Sequence, residues 1–183
     1  MVSHKHKCIF VEIPKTGSTS IRSILEDSKK PGRHFTIVEI QNLVTKQQFD
    51  EYFKFAFVRN PWDRELSLYK YILKNTTHHS HKKYLKFRHP VNFSKFLRQR
   101  PVLLQQYDYV SNNGEIQLNF IGRFENLQQD FNVVCDKIGI KHQELPHLNR
   151  TGHKPYTEFY DEEAKQIVAE KHAQDIEYFG YKF

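Results

Sequence analysis

The chain has 183 residues, 38% of them hydrophobic and 14% aromatic, with fifteen Phe and ten Tyr. That aromatic content excludes a disordered chain, and the length fits a single domain with a real core, residues 1–183. A formal net charge of +7 calls for an anionic partner (nucleic acid, a phosphorylated cofactor, an acidic polysaccharide or a membrane surface) without choosing among them.

The two cysteines, Cys8 and Cys135, exclude a disulfide framework, lack metal-ligand spacing and read as buried thiols. No apolar run reaches the roughly 18 residues of a membrane span. The basic start, Met1 to Lys7, lacks a signal peptide's apolar region. A complete chain would therefore be cytoplasmic, whereas an excised domain carries no sign of its compartment.

Cys8-Ile-Phe-Val-Glu-Ile13 reads as a buried strand, followed by a turn from Pro14 to Gly17. A helix from Ser18 to Asp27 turns Ile21, Ile24 and Leu25 inward. Thr36 and Glu39 have capping-box spacing, which predicts a short helix from Ile37 to Val44. Phe53 to Val58 reads as a second buried strand. Asn60 then caps a helix that has Pro61 at its first position and an apolar stripe of Trp62, Leu66, Tyr69 and Leu73. Residues 75–90 are rich in His and Lys and read as an irregular loop. Phe93, Phe96 and Leu97 mark another helix.

Tyr107 to Ser111 and Glu115 to Ile121 read as two strands around an Asn-Gly turn. Asn126 and Gln129 have capping-box spacing before a helix carrying Leu127, Phe131, Val134 and Ile138, ended by Gly139. A polar loop from Leu145 to Thr157 leads to a last helix, Asp161 to His172. Its acids come first and its bases last, as the helix dipole prefers. Alternating strands and helices predict an α/β fold with a mainly parallel sheet flanked by helices.

Two segments carry chemistry. In Ile13-Pro-Lys-Thr-Gly-Ser-Thr-Ser20, a loop leaves a strand and opens a helix, whose unsatisfied N–H groups and dipole favour phosphate. Gly17 permits close backbone approach, Thr16, Ser18, Thr19 and Ser20 offer hydroxyls, and Lys15 supplies a cation. The lysine precedes the glycine, unlike G-x-x-x-x-G-K-[ST], and no magnesium-binding Asp is evident. A phosphate ester needing no metal is thus expected. The same residues also fit a Ser/Thr-rich turn with a helix cap. In Phe57-Val-Arg59-Asn-Pro-Trp-Asp63-Arg64-Glu-Leu-Ser67, Arg59 ends a strand and Ser67 lies about two turns into the next helix. An arginine fork plus a hydroxyl fits a phosphate clamp; Arg59, Asp63 and Arg64 also fit a surface charge network.

Taken together, the two segments resemble the PAPS-dependent sulfotransferases of the carbohydrate (type 2) branch. The likeness extends to Ile121-Gly-Arg-Phe-Glu-Asn126, Leu145-Pro-His-Leu-Asn149 and Asp175-Ile-Glu-Tyr-Phe-Gly-Tyr181, and so spans nearly the whole chain. It implies a P-loop-like three-layer fold and PAPS (3′-phosphoadenosine 5′-phosphosulfate) as donor, with PAP, the bisphosphate, as product. Pro14 to Ser20 would hold the 5′-phosphosulfate, and Arg59 with Ser67 the 3′-phosphate. Arg123 would contact the nucleotide or buttress the sheet. Lys15 would stabilise the leaving group. His34 would be the acceptor's base, with Glu39 as the alternative. The acceptor would be a hydroxyl of a carbohydrate or related molecule. Nucleic acid is not expected as a partner. His147, Asn149, Thr151 and His153 would lie in a loop over the site. His78, His79, His81 and His89 are too irregularly spaced for a metal. Two other classes compete: a nucleotide kinase with a degenerate loop, and a non-catalytic polyanion-binding module.

Overall fold

The computed structural model of the chain describes residues 1–25, 33–74, 93–99, 104–146 and 154–183. The histidines of the 75–90 segment and the group from His147 to His153 lie outside these residues. The chain packs as two compact units, one formed by residues 1–59 and 104–149, the other by residues 60–103 and 150–183.

The first unit holds the sheet. Strands β1 (Val2–Ser3), β2 (Cys8–Val11), β3 (Phe53–Val58) and β6 (Phe120–Arg123) pair in the order β1-β2-β3-β6. β1 is antiparallel to β2, whereas β2, β3 and β6 run parallel. The fold is therefore α/β with a mainly parallel sheet and flanking helices. β2 and most of β3 are buried on both faces, which is why they read as continuous apolar runs rather than alternating ones. Helix α1 (Ser18–Leu25) and helix α7 (Leu127–Ile138) cover one face. Ile21, Leu25, Phe131, Val134 and Cys135 pack there with Cys8, Phe10, Phe55 and Phe57. Phe10 and Phe55 stack across the two central strands with ring centroids 4.9 Å apart. Burial pushes the Cys8 thiol up to about 12, so this cysteine is an apolar filler, as expected.

Several boundaries depart from the sequence reading. The helix expected to Val44 stops earlier, as α2 (Ile37–Gln41), with the Thr36–Glu39 capping box formed. A further helix, α3 (Lys46–Glu51), follows behind its own capping box of Thr45 and Gln48. The Lys54 ammonium donates to the Phe49 and Tyr52 carbonyls at 2.6 and 3.1 Å, closing the end of α3. Tyr107 to Ser111 is not a strand: Gln106–Val110 is helix α6. Five residues with two tyrosines fit either period, and the Gln105 N–H bond to Asp108 favours the helix start. The Asn-Gly turn is real, with both residues at positive φ (49° and 82°), but it joins only two-residue strands, β4 (Ser111–Asn112) and β5 (Glu115–Ile116). Of the rest of the expected strand, Gln117 to Asn119 are irregular, and Phe120 and Ile121 belong to β6. Asn126 makes no side-chain cap; a 3₁₀ turn over Phe124–Asn126 leads into α7 instead.

The second unit is helical: α4 (Pro61–Lys74), α5 (Phe93–Gln99), α8 (Glu162–Lys171) and α9 (Ala173–Phe179). Asn60 caps α4 by accepting from the Trp62 N–H at 3.1 Å. Asp161 caps α8 through the Ala164 N–H at 2.7 Å and accepts from the Ser94 hydroxyl at 2.9 Å. The expected apolar stripe on α4 is only part of its buried surface, because Arg64, Glu65 and Ser67 are buried as well. Charges can be buried there because they meet each other. His172 Nε2 lies 2.7 Å from Glu65, its Nδ1 lies 3.6 Å from Asp175, and Arg64 lies 3.9 Å from Asp175. With His172 protonated, this four-residue group is neutral.

Burial opposes the His172 charge, yet the carboxylates of Asp175 and Glu65 outweigh it and raise the imidazole above its usual 6.5. The raised group contributes stability that is fully present below pH 6.5 and is lost as pH rises through its folded-state value. Chemical denaturation should therefore show a falling midpoint on the alkaline side. His172→Ala should cost about 3–5 kcal/mol and flatten that dependence.

Candidate functional site

The parallel strands deliver their carboxyl ends to one edge of the sheet, where α/β folds collect ligands. Three features stand there within the first unit: the loop after β2, Arg59 after β3, and Arg123 closing β6 opposite Val58.

The loop is held in an uncommon backbone. Lys15 has φ +71° and Gly17 has φ +83°, while Thr16 between them is not left-handed. Alternation of this kind is the backbone from which anion-binding nests are built, and here it lies at the start of α1. For lysine this conformation is strained, and strain of this kind collects at functional sites. The Thr16 side chain is buried and its hydroxyl donates to the Ile13 carbonyl at 3.0 Å. In this arrangement the hydroxyl closes the loop. Ser18 and Ser20 are buried at the helix start and Thr19 is exposed.

Arg59 joins the loop. Its guanidinium donates through Nη1 to the Lys15 carbonyl at 3.1 Å and lies 3.9 Å over the Phe124 ring. The residue is 6% exposed. Burial pushes the Lys15 ammonium down from 10.5 to about 8, and the neighbouring Arg59 charge pushes the same way. Two cations gathered at a strained loop beside a helix start form a site in need of an anion.

His34 is exposed, and its Nδ1 lies 2.9 Å from the Glu12 carbonyl, just before the loop. A carbonyl only accepts, so Nδ1 is the donor, and in the neutral ring Nε2 carries the lone pair. Glu39 is engaged otherwise, accepting from the Thr36 N–H at 2.7 Å and the Thr36 hydroxyl at 3.0 Å. Glu12 is itself buried and ion-paired with Arg22. The exposed Arg123 is anchored through its N–H to Asp130 at 2.6 Å. Ser67 is buried on α4 and belongs to the second unit. Arg64, part of the same sequence motif, is fully buried beside Asp175.

The model of the Sulfotransferase family matches residues 1–182. The chain belongs to the sulfotransferase family. The match runs unbroken through both compact units. A protein of Archaeoglobus fulgidus described as uncharacterized is 33% identical over 107 residues, which is 55% of this chain and 79% of that protein. No solved structure matches. For this sulfotransferase, two supports of the loop escaped the sequence reading. Phe124 sat unassigned inside a recognised motif, and Gln106 lay just before a segment read as a strand, assigned to no element.

Gly17 meets two demands at once. A Cβ there would sit 2.9 Å from Leu127 Cδ2, in addition to the left-handed backbone. Gly139 has a similar φ of +72° but no atom within 4 Å of such a Cβ. Alanine at either position should cost about 1–2 kcal/mol for the backbone alone. Urea denaturation should show Gly17→Ala losing more than Gly139→Ala, the excess reporting the Leu127 contact.

Proposed function

We propose that this sulfotransferase moves the sulfuryl group of PAPS onto a hydroxyl, most naturally one of a carbohydrate. The observation that carries the reading is the Lys15–Arg59 pair at the loop before α1, linked at 3.1 Å. The donor set fits a bisphosphorylated nucleotide: two cations, a nest-type backbone and a helix start, with no carboxylate arrangement that calls for a metal among the described residues. The motif likeness to the carbohydrate branch supports the acceptor class.

Sulfuryl transfer forms a bond from the acceptor oxygen to sulfur while the bond from sulfur to the bridging phosphate oxygen breaks. Negative charge grows on that oxygen, and Lys15 is the group to neutralise it. His34 takes the acceptor's proton on Nε2, the nitrogen left basic by the Nδ1 bond to Glu12. The loop N–H groups and hydroxyls, with Pro14 shaping the turn, hold the phosphosulfate, and Arg59 grips phosphate. Arg123 adds charge at the same sheet edge. Ser67 enters by its motif position alone. The committed capping role of Glu39 favours His34 as the base.

PAP should raise the melting temperature where ATP with magnesium does not; the reverse result would favour phosphoryl transfer and overturn the donor assignment. Lys15→Ala should keep its fold and lose roughly a hundredfold to a thousandfold in turnover. His34→Ala should lose activity while Glu39→Gln loses mainly stability. Because the Lys15 cation is lost above about 8 in the free protein, PAP binding should weaken as pH rises past that value. Calorimetry in buffers of different ionisation enthalpy should show proton uptake on binding there.

A further inference from the structure

Arg59 lies where the sheet can no longer hold it. The β2 ladder ends at Val11 opposite Ala56, and the β6 ladder ends at Arg123 opposite Val58. The backbone of residue 59 therefore extends past both neighbours, and its buried N–H and C=O need partners from elsewhere. One side chain supplies both. The Gln106 amide oxygen accepts from the Arg59 N–H at 2.8 Å, and its amide nitrogen donates to the Arg59 carbonyl at 2.9 Å. Gln106 is fully buried at the first position of α6. A primary amide carries one donor face and one acceptor face, so it can reproduce the double exchange that a residue makes with a neighbouring strand.

We propose that Gln106 is a positioning residue of the anion site, standing in for a missing strand at residue 59 and thereby aiming the Arg59 guanidinium at the Lys15 carbonyl. Among side chains only asparagine offers the same primary amide, and it is one methylene too short for the span. The chain of contacts runs from α6 through Gln106 to the Arg59 backbone, and from its guanidinium to the strained loop. In its consequences for catalysis this inference rests on the donor reading above.

The test uses Gln106→Met, which keeps the volume and removes both bonds, and Gln106→Asn, which keeps the amide but shortens its reach. Folding is checked by circular dichroism. Two measurements follow: PAP affinity, and the titration of the Lys15 amine by NMR of ¹³C-methylated protein, assigned with Lys15→Arg. A guanidinium released from the loop should weaken PAP binding about tenfold or more and let Lys15 titrate closer to its ordinary 10.5. A purely structural glutamine would lower the melting temperature and leave both unchanged. Unaltered Lys15 titration in a folded variant overturns the inference whatever the nucleotide does. If the wild-type chain ignores PAP, the donor reading falls, and the Lys15 titration still decides the role of Gln106.

Discussion

The bond from the Arg59 guanidinium to the Lys15 carbonyl gathers the site's pieces. It ties the end of the central strand to the loop that follows the neighbouring strand, and it helps hold Lys15 in a backbone that lysine adopts only under constraint. It also sets two positive charges side by side in partly dehydrated surroundings. Their burial and, to a lesser degree, their mutual repulsion lower the Lys15 ammonium and favour an anion beside it. Phe124 beneath the guanidinium and Gln106 behind its backbone restrict where that charge can point.

The second unit solves a different electrostatic problem. Arg64, Glu65, His172 and Asp175 are buried together, and they balance only when the imidazole is charged. Such a group adds little net stability relative to apolar packing, but breaking it leaves an uncompensated charge. It joins α4 to the junction of α8 and α9, so the helix that carries Ser67 is fixed by contacts more than a hundred residues away along the chain. The motif that carries Arg59 thus divides its labour. Arg59 faces the loop of the first unit, while Arg64, five residues later, is enclosed in the second.

Much of the candidate site was legible because its signals are local. A β-branched run, a Pro-Lys-Thr-Gly turn and a helix start define the candidate loop within thirteen residues, and Arg59 at a strand end is equally local. The Thr36 box and the Gly139 cap were readable for the same reason. Short elements were not, because Gln106–Val110 and Asn126 offer patterns that two conformations satisfy equally.

The sequence by itself determined the α/β alternation, the central strands, the loop and the membership in the sulfotransferase family, since each depends on periodicity and residue order over short spans. Only the tertiary structure decided that Lys15 takes a left-handed backbone, that Thr16 closes the loop, that Glu39 is held in a cap and that Gln106 grips Arg59. Those outcomes depend on hydrogen-bond partners brought together by sheet pairing and helix packing. A side chain's choice among donors and acceptors is set by which of them remain unsatisfied once the core has closed.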